Sequence, residues 1–456
     1  MPSVGAAAVA RERGGGDHGL STTRRSLCGA TPIDPKEPAA GLSANGRYDF
    51  AIVHPSLGHD PGEDFAALNL PPKTVRAQAL TLLVALLVPL VSSASNDAAK
   101  VGSIVDGTIR PLMSQHEIPG MAVSLTVDGR SYVFNYGVSS KESQAPVTDS
   151  TIFEIGSISK MFTTTLAALG HVTGKLSLDE HPGRHLPRLK GRPIDRATLL
   201  HLGTYTAGGL PLQFPDPVGD DSAALAYFQG WKANGPPGTV RQYSNPSIAL
   251  LGAVTAVAMK DRFASLIETQ LLRKLGMNHT YIQVPPHAMA DYAWGYREGR
   301  PVRVNPGPMD DETYGIKSTA SDLLRFVQAN IDSSGLDASL REAIRITHVG
   351  RFRVGGMVQG FGWEQFPHPL SRELLLGGNS KEVIFDPNTV QPVVSQRAAS
   401  SRLFGKTGST GGFGAYVAFV PVKRIGLVIL ANKNFPIPAR VEAAYAILDQ
   451  LVPSPR

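Results

Sequence analysis

The 456-residue chain has a single cysteine, Cys28. An internal disulfide framework is therefore excluded, and so are zinc and iron–sulfur sites built on clustered thiolates. The twelve histidines offer no ligand pattern to replace them. His181 and His185 are four apart, but Pro182 and Gly183 between them work against a shared helix face. No metal and no cofactor is expected. No long Lys/Arg block accompanies the net charge of +6, so no nucleic-acid partner is expected. Internal repeats are absent, and after the first hundred residues no apolar run is long enough to span a membrane.

No methionine separates Met1 from Met113, which bears on where the working protein begins. Lys73 and Arg76 precede an apolar run from Ala77 to Val91, closed by the small residues Ser92-Ser93-Ala94. Basic, apolar and small-residue segments in this order make a secretory signal peptide, here 73–94. Residues 1–72 are rich in Gly, Pro, Ala and Arg without sustained periodicity, and read as a leader that is disordered or not part of the mature protein. Translation is expected to start near Val75. A periplasmic protein without stable membrane association after signal removal follows, and a monomer is expected. The eight basic and eight acidic residues up to Asn96 cancel, so the positive charge belongs to 95–456.

That remainder, with 42% hydrophobic and 18% charged residues over the whole chain, can bury a large core. A helical pattern over 96–110 leads to Ala122–Val127, Asp128-Gly129 and Ser131–Phe134, a strand, tight turn and strand. At the other end 414–433 reads as two strands and 441–452 as an amphipathic helix. Residues 175–232 hold short helical patterns broken by Pro and Gly. The expected fold is α/β of the α+β kind: an antiparallel sheet flanked by helices and built from N- and C-terminal segments, with a mostly helical inserted region. The sheet-bearing region is placed at 95–174 and 242–456, and the helical region at 175–241.

Between these ends, FEIGSISKMFTTTLAALG (153–170) sets Ser157 and Lys160 at the start of an apolar helix whose buried face is Ile158, Met161, Phe162, Leu166 and Leu169. Three residues apart, the serine and lysine share one side at roughly 5–6 Å between Cβ atoms. Alone, the pair reads first as a capping serine and a solvent-seeking lysine, and only second as a nucleophile with its base. Two further motifs change the balance: Tyr243-Ser244-Asn245 ahead of an apolar helix, and Lys406-Thr407-Gly408 entering a strand. Ser-x-x-Lys, a polar-x-Asn motif and Lys-Thr-Gly, in this order, are the set of penicillin-recognising serine hydrolases. A serine hydroxyl needs a base to take its proton, and no histidine stands in these motifs. Lys160 and Tyr243 must supply that function, since two cations, Lys160 and Lys406, near one phenol favour its ionised form.

The chain resembles the class C serine β-lactamases, the cephalosporinase branch of that group. Besides the three motifs, LLHLGTYTAGGLPLQFPD (199–216), YGIKS (314–318), KTGSTGGFGAYVAFVP (406–421) and LANKNFPIPARVEAA (430–444) resemble the family's segments in its order. The resemblance implies hydrolysis of cephalosporins and penicillins through a Ser157 acyl-enzyme, with Tyr243 as base assisted by Lys160. It implies an oxyanion hole from the N–H groups of Ser157 and Ser409, with Gly408 leaving room along the strand. Lys406 and Thr407 would bind the substrate carboxylate. Asn245 would bond Lys160 and, with Gln213, the substrate amide. Tyr314 would wall the site and Arg440 would lie near the carboxylate end. Ile437 stands where many relatives carry an asparagine, which removes one hydrogen-bond donor. D-alanyl-D-alanine carboxypeptidases and related esterases share these residues and are the alternative reading; a non-catalytic β-lactam sensor is a more distant one.

Overall fold

The structure, a computed structural model, describes residues 97–394 and 401–451, all within the unit that spans 73–456. The expected leader and signal segment lie outside the described residues.

Helix α1 (97–115) buries Val101, Val105, Ile109 and Leu112, the stripe that a 3.6-residue period places on one face. It leads into β1 (Gly120–Val127) and β2 (Arg130–Gly137). Their turn, Asp128-Gly129, holds φ of +48° and +83°, the pair of left-handed residues that fits the twist of a two-residue hairpin. Seven further strands complete the sheet: β3 (Gly350–Val354), β4 (Met357–Gly360), β5 (Glu364–Pro367), β6 (Gln391–Pro392), β7 (Arg402–Ser409), β8 (Gly414–Val420) and β9 (Ile425–Ala431). The order is β6-β3-β4-β5-β7-β8-β9-β1-β2, antiparallel at every step. Thus β1 lies against β9, with Leu125 opposite Leu427, and the two ends of the chain form one sheet.

Strands β7, β8 and β9 are buried on both faces. Alternation sends Tyr416, Ala418, Leu427 and Ile429 to a core shared with α1 and α6 (Ile437–Leu451). Val417, Phe419, Val428 and Leu430 face a second core. There lie α2 (Ser159–Val172), α3 (Asn245–Met259), α4 (Ala320–Ile331) and α5 (Ala338–Thr347). Phe162 stacks on Phe326 at 4.1 Å, and Trp363 meets Phe419 edge-on at 5.0 Å. Each such aromatic stabilises the fold by about 1.5–3 kcal/mol through burial.

Helix α2 differs from the expected amphipathic form. Every residue from Ser159 to Gly170 is buried, polar ones included. Their hydroxyls are satisfied internally: Thr163 Oγ1 donates to the Glu312 carbonyl at 2.6 Å, Thr165 Oγ1 to the Met161 carbonyl at 2.7 Å, and Ser159 Oγ accepts from Ile316 N. With its polar groups satisfied in this way, the helix passes through the core rather than lying on it.

Candidate active site

Ser157 sits in a 3₁₀ turn, Gly156–Ile158, immediately before α2. Gly156 has φ +53°, and a Cβ there would lie 2.5 Å from Ser409 N. A Cβ on Gly408 would lie 2.0 Å from the Ile155 carbonyl oxygen. These two glycines let the turn carrying Ser157 rest directly on strand β7. Contrary to the capping reading, the Ser157 side chain makes no capping hydrogen bond. It accepts instead from Lys160 Nζ at 2.9 Å, and the same ammonium donates to the Thr313 carbonyl at 3.0 Å.

Tyr243 follows the short strand Val240–Arg241 and precedes α3, whose N-terminus is capped by Ser244 Oγ accepting from Ser247 N at 3.1 Å. The middle residue of the second motif is thus a structural cap, and its neighbours on either side face the cleft. The Tyr243 ring lies 5.4 Å from Lys160 Nζ, 4.8 Å from Lys406 Nζ and 5.8 Å from Arg241 Cζ. Tyr205 packs against it at 4.8 Å between ring centroids.

Burial lowers the Lys160 pKa to about 8, with the Tyr243 phenol opposing and Lys406 adding to the fall. For Tyr243 burial alone would raise the pKa. The charges of Lys160 and Lys406 and the Ser157 hydroxyl outweigh it, and the phenol titrates below its ordinary range. Tyr243 Oη is buried and finds no hydrogen bond of good geometry among the described residues, yet it lies near enough to these groups to feel them. A hydroxyl, an amine that is partly neutral near pH 8 and a readily ionised phenol form one cluster through which a proton can pass.

Strand β7 forms one wall. Its pairing with β5 ends at Gly405, so Lys406–Ser409 run on as an open edge on that side. Thr410 N donates to the Phe413 carbonyl at 3.1 Å at the β7–β8 turn, and Ser409 faces Gly414 next in register. Hydrogen-bonded and non-hydrogen-bonded pairs alternate in an antiparallel ladder, so the Ser409 N–H points away from β8, toward the open edge.

A cleft of about 720 Å³ gathers Ser157, Gln213, Tyr243, Asn245, Tyr314, Lys406, Thr407, Ser409 and Arg440, with Ile437 on its rim. Lys160, fully buried, and Gly408, pressed against Ile155, lie beneath. Two contacts differ from expectation. Asn245 Nδ2 donates to Gln213 Oε1 at 2.8 Å and its Oδ1 is unpartnered, while Lys160 has turned to Thr313. The Arg440 guanidinium lines the cleft but gives most of its donors to the protein itself. It is buried and donates to the Gly408 carbonyl at 2.6 Å, Ser409 Oγ at 2.9 Å, Asn434 Oδ1 at 2.5 Å and the Phe435 carbonyl. Its burial holds its pKa down at about 9. Arg440 thus braces β7 at the cleft wall.

Sequence reasoning missed Arg241 and Glu364. Both are buried, paired at 3.2 Å, and Glu364 Oε1 also forms an ion pair with Lys406 Nζ at 3.3 Å. A glutamate inside the aromatic run FGWEQF was the available signal, since a carboxylate in a buried strand needs a partner.

The chain as a whole is similar to known proteins. The beta-lactamase family model covers residues 105–452. The chain belongs to the beta-lactamase family. A beta-lactamase of Pseudomonas fluorescens is 48% identical over 356 residues, 78% of this chain and 99% of that protein. A beta-lactamase of Escherichia coli K12 is 40% identical over 81% of this chain and 99% of its own length. Among solved structures, a class C beta-lactamase in complex with cefoxitin aligns with TM-score 0.75 and 44% identity, over 78% of this chain and 99% of its own. A D-alanine carboxypeptidase from Burkholderia cenocepacia aligns with TM-score 0.74 and 46% identity, over 77% and 99%. The fold is that of this family, with its large antiparallel sheet and flanking helices.

Proposed function

We propose that the protein is a class C serine β-lactamase that opens the β-lactam ring of cephalosporins and penicillins and so confers resistance to them. The observation that carries this reading is the cluster of Ser157 with the buried Lys160, Tyr243 and Lys406 at the floor of the cleft.

The Ser157 hydroxyl gives its proton to the Lys160–Tyr243 pair as Oγ attacks the lactam carbonyl carbon. The pair titrates as a unit, so the proton belongs to both. Negative charge on the carbonyl oxygen is met by the N–H groups of Ser157 and Ser409, donors already fixed in place by the Gly156 turn and strand β7. The lactam C–N bond breaks, its nitrogen takes the proton, and an ester to Ser157 remains. A water then attacks the ester carbonyl carbon, losing its proton to Tyr243 or to the substrate's own ring nitrogen. The bond from that carbon to Ser157 Oγ breaks, Oγ takes the proton back, and the ring-opened acid leaves. Lys406 and Thr407 bind the substrate carboxylate, by charge and by hydroxyl donation. Asn245 and Gln213, already bonded to one another, hold the substrate amide. Tyr314 walls the opening.

The same reading makes 1–72 a leader, 73–94 a removed signal peptide and 95–456 the catalytic domain, a periplasmic monomer. No helix among the described residues is long and apolar enough to cross a membrane.

A carboxypeptidase with the same cleft is the second reading, since one 46%-identical structure bears that name. Purified protein mixed in parallel with a chromogenic cephalosporin and a D-alanyl-D-alanine peptide separates the two. Ring opening far beyond one equivalent, with little peptide cleavage, is expected. Opening that stops at one equivalent while the peptide is cleaved would establish the carboxypeptidase.

A further inference from the structure

The buried charges under Tyr243 extend beyond the residues that face substrate. Arg241, two residues ahead of Tyr243, is fully buried with its guanidinium 5.5 Å from the Tyr205 ring and 5.8 Å from the Tyr243 ring. Its Nε donates to Gln359 Oε1 on β4 at 2.8 Å, its Nη1 to the Val383 carbonyl at 2.7 Å, and its Nη2 to Glu364 Oε1 on β5 at 3.2 Å. That carboxylate oxygen also receives Lys406 Nζ from β7 at 3.3 Å. Glu364 therefore joins the segment that carries Tyr243 to the strand that carries Lys406. The guanidinium is anchored at three points, so the carboxylate has little freedom, and through it neither has Lys406.

We propose that Glu364, held by Arg241, is a positioning residue for the reaction: it fixes the Lys406 ammonium against Tyr243 and limits how much positive charge the phenol experiences. The inference rests on the β-lactamase reading above.

Three cations, Lys160, Lys406 and Arg241, surround one phenol, and Glu364 is the carboxylate among them. The remaining groups near it are neutral: Ser157 beside the Tyr243 hydroxyl, and the buried phenols of Tyr205 and Tyr416, both of which feel the Glu364 charge. Without Glu364 the cluster would over-stabilise the phenolate. A phenolate of too low a basicity is a poor proton acceptor at neutral pH. Without the carboxylate Lys406 would also lose the contact that aims it into the cleft.

The test compares pH profiles of kcat/KM for the wild type, Glu364→Gln, Glu364→Asp and the double variant Arg241→Met/Glu364→Gln, using a chromogenic cephalosporin. Glu364→Gln removes negative charge, so the acid limb moves down by about one pH unit and kcat/KM at pH 7 falls at least about tenfold. Glu364→Asp keeps the charge, and its limb stays at the wild-type position although the rate falls. The double variant removes one charge of each sign, so the net charge around the phenol is kept while Lys406 loses its carboxylate partner. Its limb also returns to the wild-type position, but kcat/KM stays at least about tenfold low because Lys406 is untethered. A folded Glu364→Gln whose limb does not move overturns the proposal. If that variant does not fold, the double variant decides, and a kcat/KM within about threefold of wild type overturns it. Wild-type protein that turns over no β-lactam would refute the activity itself, which is a separate outcome.

Discussion

Replacing Gly156 with alanine probes the contact on which the site is built. At φ +53° a side chain costs about 1–2 kcal/mol, because the left-handed region crowds Cβ against its own backbone. The added carbon would also come within 2.5 Å of Ser409 N and 2.7 Å of its carbonyl oxygen, where an ordinary contact is roughly 3.5 Å or more. The turn and strand β7 must separate by about 1 Å, an overpacking cost of about 1–3 kcal/mol. The loss of stability is therefore about 2–5 kcal/mol in total. The displaced backbone carries both proposed oxyanion donors, so kcat should fall about a hundredfold, the usual consequence of misplacing one such donor. Gly174→Ala is the control: φ is +68° but a Cβ there meets nothing within 4 Å. It should cost only the backbone strain of about 1–2 kcal/mol and leave kcat untouched. Urea unfolding and steady-state turnover of both variants decide the matter. If Gly156→Ala behaves like Gly174→Ala in both assays, the close contact does not position the site and the reasoning is refuted.

Arg440→Met should reduce turnover about tenfold by releasing Ser409, and equally for substrates with a free and an esterified carboxylate; a loss confined to the free acid would return Arg440 to the carboxylate site. Lys160→Met should abolish activity yet stabilise the fold. The folded pKa of about 8 lies below the unfolded value of 10.5, so the unfolded chain binds more protons and wild-type stability rises as pH climbs from 8 toward 10.5. Removing the amine should gain about 1–3 kcal/mol near pH 7 and abolish that rise, and a variant less stable than wild type in urea would contradict the assignment. Burial holds His348 neutral, its pKa lowered to about 3 between Phe404 and Phe419, so stability should drain away as pH falls below 6.5, by up to about 4 kcal/mol. His348→Gln should flatten that slope between pH 7 and pH 4, as read from urea midpoints.

The parts of the fold legible in the sequence were those written in local chemistry. Asp128-Gly129 announced its hairpin, and the paired ends of the sheet followed from alternating apolar residues around 120–137 and 414–431. Strands β3 to β6 were not legible, because Gly350–Gly360 mixes Arg, Gln and Gly with its apolar residues and pairs with distant segments. The buried threonines of α2 gave it a false polar face, since sequence does not show that their hydroxyls are satisfied inside the helix and by Glu312. At the site, motif order located the cluster itself. It did not show that Arg440 binds Gly408 and Ser409, or that Asn245 prefers Gln213 to Lys160, because those partners are 31 or 32 residues away. Glu364 escaped because its role exists only through Arg241, which is 123 residues distant.

The central claim is that Ser157 is acylated and released. Rapid mixing of the wild type and Ser157→Ala with a chromogenic cephalosporin, followed by quenching, proteolytic digestion and mass measurement of the peptides, tests it most directly. The account predicts many turnovers by the wild type, with a transient adduct on the peptide containing Ser157, and neither turnover nor adduct in Ser157→Ala. An adduct on another residue, or ring opening that survives the substitution, would contradict it.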